Sequence, residues 1–485
     1  MDAVRAEKHR QFVSGHTGGS AIEILGLFSA ALAIGYVRLF FHGTSETVSI
    51  ALDLLCTVVA FALPCTLLAD YTLELVILTC STACLVYLKL PSLRHCPTFH
   101  NAFSVWRRLL RAVVLFYTCV CIYAVDFPIF PRRFAKTETF GISLMDTGVG
   151  LIAIATGMSN VAFINDCRNR QSSLLKVIVK STIPSLLLGA IRTLTVKTLG
   201  YPEHVSEYGI HWNFFITLAL VRLGGFLCGY VVSGQSDFDA MNNTLVLALL
   251  AVCLHHFGLL VGLGWASRIT NEISPADRES SLVLANAEGL LSLLGYLSLF
   301  LFGTVLSYFV HIHTDPNNRG SKVKFVCVQG KRTWIGETRK VATAVLGISA
   351  LAFLVVALYG AGSVSRRLVN LPYIALQIGL MTFVMGVTLL WVFHNQPGEY
   401  KVTNKKDLFS LVTIVSDNSF AYFLISNVVT GLLNMFIDTL VIAELQPAWF
   451  STACQFLLLT AYVVVCPLIT RTLSFLPLSP MRVKG

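Results

Sequence analysis

The densest chemistry in the chain is the run Asp126-Phe-Pro-Ile-Phe-Pro-Arg-Arg-Phe-Ala-Lys136, followed by Glu138 and Asp146. Pro128 and Pro131 force Phe127 and Phe130 into extended geometry, so a helix arriving from the N-terminal side has to end near Asp126. A turn of helix restarting at Pro131, a favoured first position, would put Arg132 and Lys136 on one face at i, i+4. The bend then folds Lys136 back towards Asp126. Across residues 126–146 the cations Arg132, Arg133 and Lys136 are balanced by Asp126, Glu138 and Asp146. A topology anchor would carry one sign; this corner reads as an internally paired polar site at a membrane face.

The elements that hold such a corner follow from composition. Of 485 residues 55% are hydrophobic and 13% charged, about half the charged share of a soluble domain. That balance excludes a soluble enzyme, a disordered chain and a nucleic-acid binder. The formal charge of +10 sits in short clusters between long apolar runs, which points to membrane-flanking loops. A helix needs about 20 residues to cross the hydrocarbon core. Thirteen segments qualify: 21–41, 48–69, 71–90, 108–126, 144–165, 174–196, 213–233, 244–266, 288–310, 341–360, 370–393, 419–441 and 449–470. The expected fold is an all-α polytopic membrane bundle forming a single domain over 1–485. Arg5, Lys8 and Arg10 precede the first span without an A-x-A-like site, so the expectation is a retained span and no cleaved leader. The loop 311–340 carries Arg319, Lys322, Lys324, Lys331, Arg332, Arg339 and Lys340, and the positive-inside rule makes it cytosolic. Counting back puts the N-terminus and the 126–143 loop on the lumenal side and the C-terminus in the cytosol.

Ionisable side chains also fall inside the spans: Asp53, Glu74, Asp126, Asp146, Lys180, Arg192, Arg222, His255, His256, Glu288 and Asp438. Charge at membrane depth costs a few kcal/mol, so such residues face partners or a cavity. Taken together they predict a polar interior, which an enzyme or an ion-coupled transporter would use equally. His255 and His256 are adjacent and point about 100° apart on a helix; a packed histidine is the expectation. Most of the 13 cysteines lie in apolar stretches with no CxxC pair, as buried filler would. No metal-ligand spacing is visible.

The string Ala124-Val-Asp126-Phe-Pro-Ile-Phe-Pro-Arg-Arg-Phe-Ala-Lys136-Thr-Glu138 closely resembles the signature of the GPI-inositol acyltransferases, the PIG-W family. Further stretches match in the same order: Phe12-Val-Ser14, Gly189-Ala-Ile-Arg192, Gly200-Tyr-Pro-Glu203-His204 and Glu207-Tyr-Gly-Ile-His211-Trp-Asn213-Phe-Phe215. Val364-Ser-Arg366-Arg367, Asn370-Leu371, Ile425-Ser-Asn427-Val-Val-Thr430-Gly-Leu-Leu-Asn434 and Asp438-Thr439 continue the series. One departure is Ala287 before Glu288, where the family pattern has a basic residue.

The resemblance implies transfer of a long-chain acyl group, usually palmitoyl, from acyl-CoA to the inositol 2-hydroxyl of glucosaminyl-phosphatidylinositol. It also implies location in the endoplasmic reticulum membrane. The family's catalytic pair falls on Asp126 and Lys136. An inositol hydroxyl is a poor nucleophile, and a carboxylate such as Asp126 can take its proton during attack on the thioester. Lys136 would orient that carboxylate, pair with it, or steady the oxyanion. Arg132 and Arg133 suit phosphate oxygens, with Lys180, Arg192, Arg366 and Arg367 extending a cationic wall. Glu207, His211 and Asn213 suit sugar hydroxyls. No cofactor beyond acyl-CoA and no metal is required; the expected partners are acyl-CoA, the acceptor lipid and membrane lipids, with no nucleic acid. Two other readings use the same features, an ion-coupled transporter and a non-catalytic subunit of GPI assembly. Neither matching halves nor paired broken spans support the first, and retention of Asp126 with Lys136 argues against the second.

Overall fold

Long apolar runs in this chain have one way to satisfy their backbones away from water, the internal hydrogen bonding of a helix. The computed structural model describes residues 11–38, 41, 45–89, 102–168, 175, 179, 182–199, 205–232, 236–271, 273–314, 327–328, 331–332, 335–394 and 410–474. Its longer helices are α1 (Ala21–Arg38), α2 (Glu46–Thr57), α3 (Thr72–Lys89), α4 (Ala102–Ala124), α5 (Leu144–Gly157), α6 (Asn160–Arg168), α7 (Ile183–Leu199) and α8 (Phe214–Val232). They continue with α9 (Asp237–Val252), α10 (Ala287–Thr314), α11 (Ile335–Tyr359), α12 (Leu371–His394), α13 (Ser410–Asp417), α14 (Ser419–Phe436) and α15 (Ala448–Ser474).

Among the described residues ten helical segments are long and apolar enough to cross a membrane, each overlapping one of the thirteen expected spans. The other three differ for local reasons. The 48–69 segment is α2 followed by a wide turn at Val58–Ala62. The 108–126 segment is the 23-residue α4, whose first turns carry Arg107, Arg108 and Arg111. The 174–196 segment is described mainly as α7, apolar over Ile183–Thr195. The expected 144–165 span breaks between α5 and α6.

α5, α10 and α12 occupy the interior. Close approach of α5 to α10 depends on two glycines: a Cβ on Gly157 would lie 1.9 Å from the Phe300 carbonyl oxygen, and one on Gly303 would lie 2.1 Å from that of Ile154. Small residues at the contact let helix backbones touch where lipid offers no hydrophobic drive to association. At the edge, Arg38 and Asp53 form a buried pair at 2.8 Å, and Asp53 also accepts from the Leu411 amide at 3.0 Å. Asp53 therefore ties α1 and α2 to α13. His255 is fully buried, with Nε2 2.9 Å from the Leu368 carbonyl, as a packed histidine.

A two-stranded parallel ribbon sits beside the 126–136 corner, pairing β1 (His16–Gly18) with β2 (Thr137–Ile142). Gly141 has φ +134°, and a Cβ there would lie 2.0 Å from the Thr17 carbonyl oxygen. Its amide donates to Val364 at 2.8 Å, and Ser365 Oγ donates to the Thr139 carbonyl at 2.6 Å. Three distant segments, 16–18, 137–142 and 364–365, are thereby stitched together.

Candidate functional site

α4 unwinds at Ala124, and the Asp126 and Phe127 amides close turns back onto Tyr123 and Ala124 at 3.3 and 3.0 Å. Phe127, Phe130 and Phe134 are buried and anchor the corner in the bundle. Pro131 caps a single tight turn, Arg132–Phe134, rather than starting a helix. The expected shared face of Arg132 and Lys136 is thus absent: one turn cannot extend to position 136, which is followed by β2.

Arg132 is committed inward. Its guanidinium donates to the carbonyls of Val125 (2.9 Å), Phe127 (2.8 Å) and Phe130 (2.7 and 3.1 Å), and it stacks 4.1 Å over the Phe12 ring. Burial pushes its pKa down to about 10, against the pull of the nearby Asp126 charge. These bonds staple the corner rather than present a fork to phosphate. Arg133 turns the other way, to Glu23 and Asp70 at 2.8 Å each. Burial opposes its charge, yet the hydrogen bonds to those two carboxylates hold its pKa above the usual arginine value.

Asp126 is buried, 5% exposed, and its Oδ2 accepts from Asn434 Nδ2 at 2.7 Å. The Asn434 Oδ1 and the Tyr123 hydroxyl, both buried, have no hydrogen-bond partner among the described residues. Tyr123 lies within electrostatic reach of Asp126. A carboxylate held by a neutral amide, beside two unused polar atoms, is chemically suited to receive a hydroxyl.

Lys136 does not pair with Asp126; its Nζ is 2.5 Å from Glu207 Oε1. Glu207, from the short helix Val205–Tyr208, is also 3.7 Å from Arg366 Nη2. Arg366 in turn donates through Nε to Asp146 Oδ1 at 2.7 Å. The Asp146 Oδ2 accepts from the Thr137 amide (3.0 Å), Thr137 Oγ1 (2.7 Å) and Ser143 Oγ (2.8 Å). The network Lys136–Glu207–Arg366–Asp146 is neutral overall and joins three stretches far apart in sequence, 136–146, 207 and 366. Burial disfavours the charge of Arg366, but Glu207 and Asp146 hold its pKa well above the normal range. Tyr208, inside the same cluster, is pushed up to about 12 by burial. Lys136, with 43% of its side chain exposed, is the open end of the network.

A second buried group surrounds Glu288, which is fully buried at the start of α10. Arg278 donates to both its oxygens (3.1 and 2.5 Å), and Arg367 donates to Oε1 at 3.0 Å. Arg367 is therefore a partner of Glu288, one residue from Arg366 but in a separate network.

The remaining expected residues divide. Asn213 caps α8: Oδ1 accepts from the Phe215 and Ile216 amides, while Nδ2 donates to the Gly189 carbonyl and Thr193 Oγ1. Its amide is thus used in joining α7 to α8. His211 is exposed, with Nδ1 2.7 Å from Lys197 Nζ. Arg192 is exposed on α7, near enough for its charge to act on Tyr208. Lys180, the 200–204 stretch and most of the basic 311–340 loop lie outside the described residues. Roles for Asn434, Asp146, Glu288, Tyr123 and Arg278 come from the structure. Asn434 closes the family-like stretch 425–434, and Asp146 and Glu288 are among the charges embedded in the spans. Nothing in the sequence pointed to Arg278.

Comparison with known proteins covers nearly the whole chain. A family model described as GWT1 matches residues 5–472. The chain is similar to GPI-anchored wall transfer protein 1 of Saccharomyces cerevisiae, 33% identical over 94% of this chain and 95% of that protein. It is also similar to the phosphatidylinositol-glycan biosynthesis class W protein of Dictyostelium discoideum, 30% identical over 96% and 98% respectively.

Proposed function

We propose that this chain, which belongs to the GWT1 family of GPI-anchor biosynthesis, is an O-acyltransferase acting on a glycolipid precursor. The reaction is transfer of a long-chain acyl group, palmitoyl in the first instance, from acyl-CoA to the inositol 2-hydroxyl of glucosaminyl-phosphatidylinositol. Asp126 takes the hydroxyl proton as the oxygen attacks the thioester carbonyl, a general-base step contributing about 10²–10⁴ in rate. The observation that carries this reading is the buried carboxylate held by the Asn434 amide at 2.7 Å. Lys136, steadied by Glu207, supplies positive charge to the developing oxyanion. Because it does not neutralise Asp126 directly, the two groups can act on different atoms of one tetrahedral intermediate. Collapse of that intermediate expels the CoA thiolate, and no metal or further cofactor takes part.

The corner's convergence with Glu207 and Arg366 supports one site built from the family-like stretches. The acceptor's sugar hydroxyls fall to Glu207 and His211 in this reading, with Arg192 on the rim. The proposed setting is the endoplasmic reticulum membrane, with thirteen spans, a lumenal N-terminus and a cytosolic C-terminus. The test is incubation of purified protein with radiolabelled palmitoyl-CoA and glucosaminyl-phosphatidylinositol. An inositol-linked palmitoyl ester is expected; a lipid recovered unmodified would overturn the assignment and favour a bystander or transporter.

A further inference from the structure

Away from the Asp126 corner, towards the other end of α4, lies a group of arginines that the proposed chemistry does not use. Arg222 sits eight residues into the 19-residue α8, about 12 Å from its start and so near mid-membrane. Its buried Nε has no hydrogen-bond partner among the described residues, and the charge acting on it most clearly is another cation, Arg111 of α4. Arg111 donates to Ser159 Oγ in the break between α5 and α6. Arg107 lies within reach of Arg111 and Arg108, and Arg108 pairs with Asp417 at 2.8 Å. Next to Ser159, Asn160 is 2% exposed; its Nδ2 donates to the Gly225 carbonyl at 3.3 Å, one turn from Arg222, and its Oδ1 has no hydrogen-bond partner among the described residues. Four helices thus bring these arginines and an unused amide oxygen together, with the half-exposed Asp417 as the carboxylate whose charge reaches Arg111 and Arg108 but not Arg222.

Two guanidinium groups at this depth repel each other and are costly to desolvate. Other buried arginines in this molecule meet a carboxylate, as in Arg38–Asp53, Arg366–Asp146 and Arg367–Glu288, or, as Arg132 does, a set of backbone carbonyls. Arg222 has no carboxylate within ion-pair distance among the described residues. A multiply charged phosphate ligand removes the repulsion and fits the bidentate fork.

We propose that Arg111 and Arg222 receive the diphosphate of the acyl-CoA donor, an inference that rests on the acyltransferase reading above. Geometry separates this from the acceptor's phosphate. Asp126 lies fifteen residues beyond Arg111, about 22 Å along a helix axis. The acceptor's phosphate is bonded to the ring carbon next to the reacting hydroxyl, so with that hydroxyl at Asp126 it cannot reach the arginines. The pantetheine arm of CoA has about thirteen bonds between phosphorus and sulfur and extends roughly 16 Å at ordinary bond lengths. Arg222, about 12 Å from the start of α8 and so nearer than Arg111 to the end of the bundle where Glu207 meets Lys136, puts the diphosphate within that arm's length of Asp126.

The experiment measures equilibrium binding to the full-length protein in nanodiscs of two unreactive probes, the palmityl-CoA thioether and S-palmityl pantetheine, which lacks the phosphates. Arg222→Gln and Arg111→Gln are expected to weaken the CoA probe at least tenfold and leave the pantetheine probe unchanged. Arg222→Lys, which keeps the charge but not the fork, should lose less and provides the reading if Arg222→Gln does not fold. Unchanged affinity of the folded variants for the CoA probe would overturn the site, as would equal weakening of both probes. A wild-type protein that binds neither probe would overturn the acyl-CoA reading itself, and the site with it.

Discussion

Replacing Asn434 by Asp puts a second carboxylate where a neutral amide now touches Asp126 at 2.7 Å. Two carboxylates at that separation cannot both stay ionised in a buried site, so the pair holds a shared proton. At an effective dielectric constant of about 20, unit charges about 4 Å apart repel by about 4 kcal/mol, the equivalent of about three pH units. Since the base must be free of that proton to act, the acidic limb of the pH–rate profile has to move to higher pH, by about one to three units. The assay is kcat/KM for acyl transfer across pH, with a folded, monodisperse Asn434→Asp variant beside the wild type. Activity should recover towards alkaline pH. A profile superimposable on the wild type's, at undiminished rate, would refute the placement of Asn434 beside the reacting base.

Lys136→Arg keeps the charge but changes size and donor geometry; it should cut kcat at least tenfold, and full activity would mean that the ammonium only holds the loop. Glu207→Gln removes the anchor of Lys136 and the 3.7 Å contact to Arg366, so kcat should fall by about tenfold from loss of one charge-assisted contact, read in the same assay. Gly141→Ala combines a positive φ with a Cβ 2.0 Å from the Thr17 carbonyl oxygen, and strain of about 1–3 kcal/mol or more should appear as a lower melting temperature and lost activity. Cysteines introduced at Phe140 and at Ser321 should be labelled from opposite sides of sealed microsomes; labelling from one side would break the thirteen-span arrangement.

Much of the helical frame could be read directly, because a run such as Leu371–Leu390 has no alternative in lipid. Spans interrupted by charge were harder. Arg107, Arg108 and Arg111 open α4, and a break after Gly157 depends on how α5 meets α10 rather than on local propensity. The Asp126 corner was visible through its prolines, and its burial follows from Phe127, Phe130 and Phe134. What pairs with what was not. An arginine's fork suits a phosphate and a cluster of backbone carbonyls equally, and Arg132 takes the carbonyls. Lys136 meets Glu207, 71 positions on, instead of Asp126 ten positions back, a choice set by the docking of the 205–208 helix. Asn213 looked like a sugar ligand because its type suits one; its place at the start of α8 makes it a cap.

Turnover by the Asp126→Asn variant bears on the central claim most directly. The side chain keeps its size and can still hydrogen-bond to Asn434 after an amide rotation, but it cannot accept the hydroxyl proton. Single-turnover transfer of radiolabelled palmitoyl from CoA to glucosaminyl-phosphatidylinositol should slow by about 10²–10⁴, or about 2.7–5.4 kcal/mol in activation free energy, with binding of the palmityl-CoA thioether unchanged. A folded variant that transfers the acyl group at close to the wild-type rate would contradict the account.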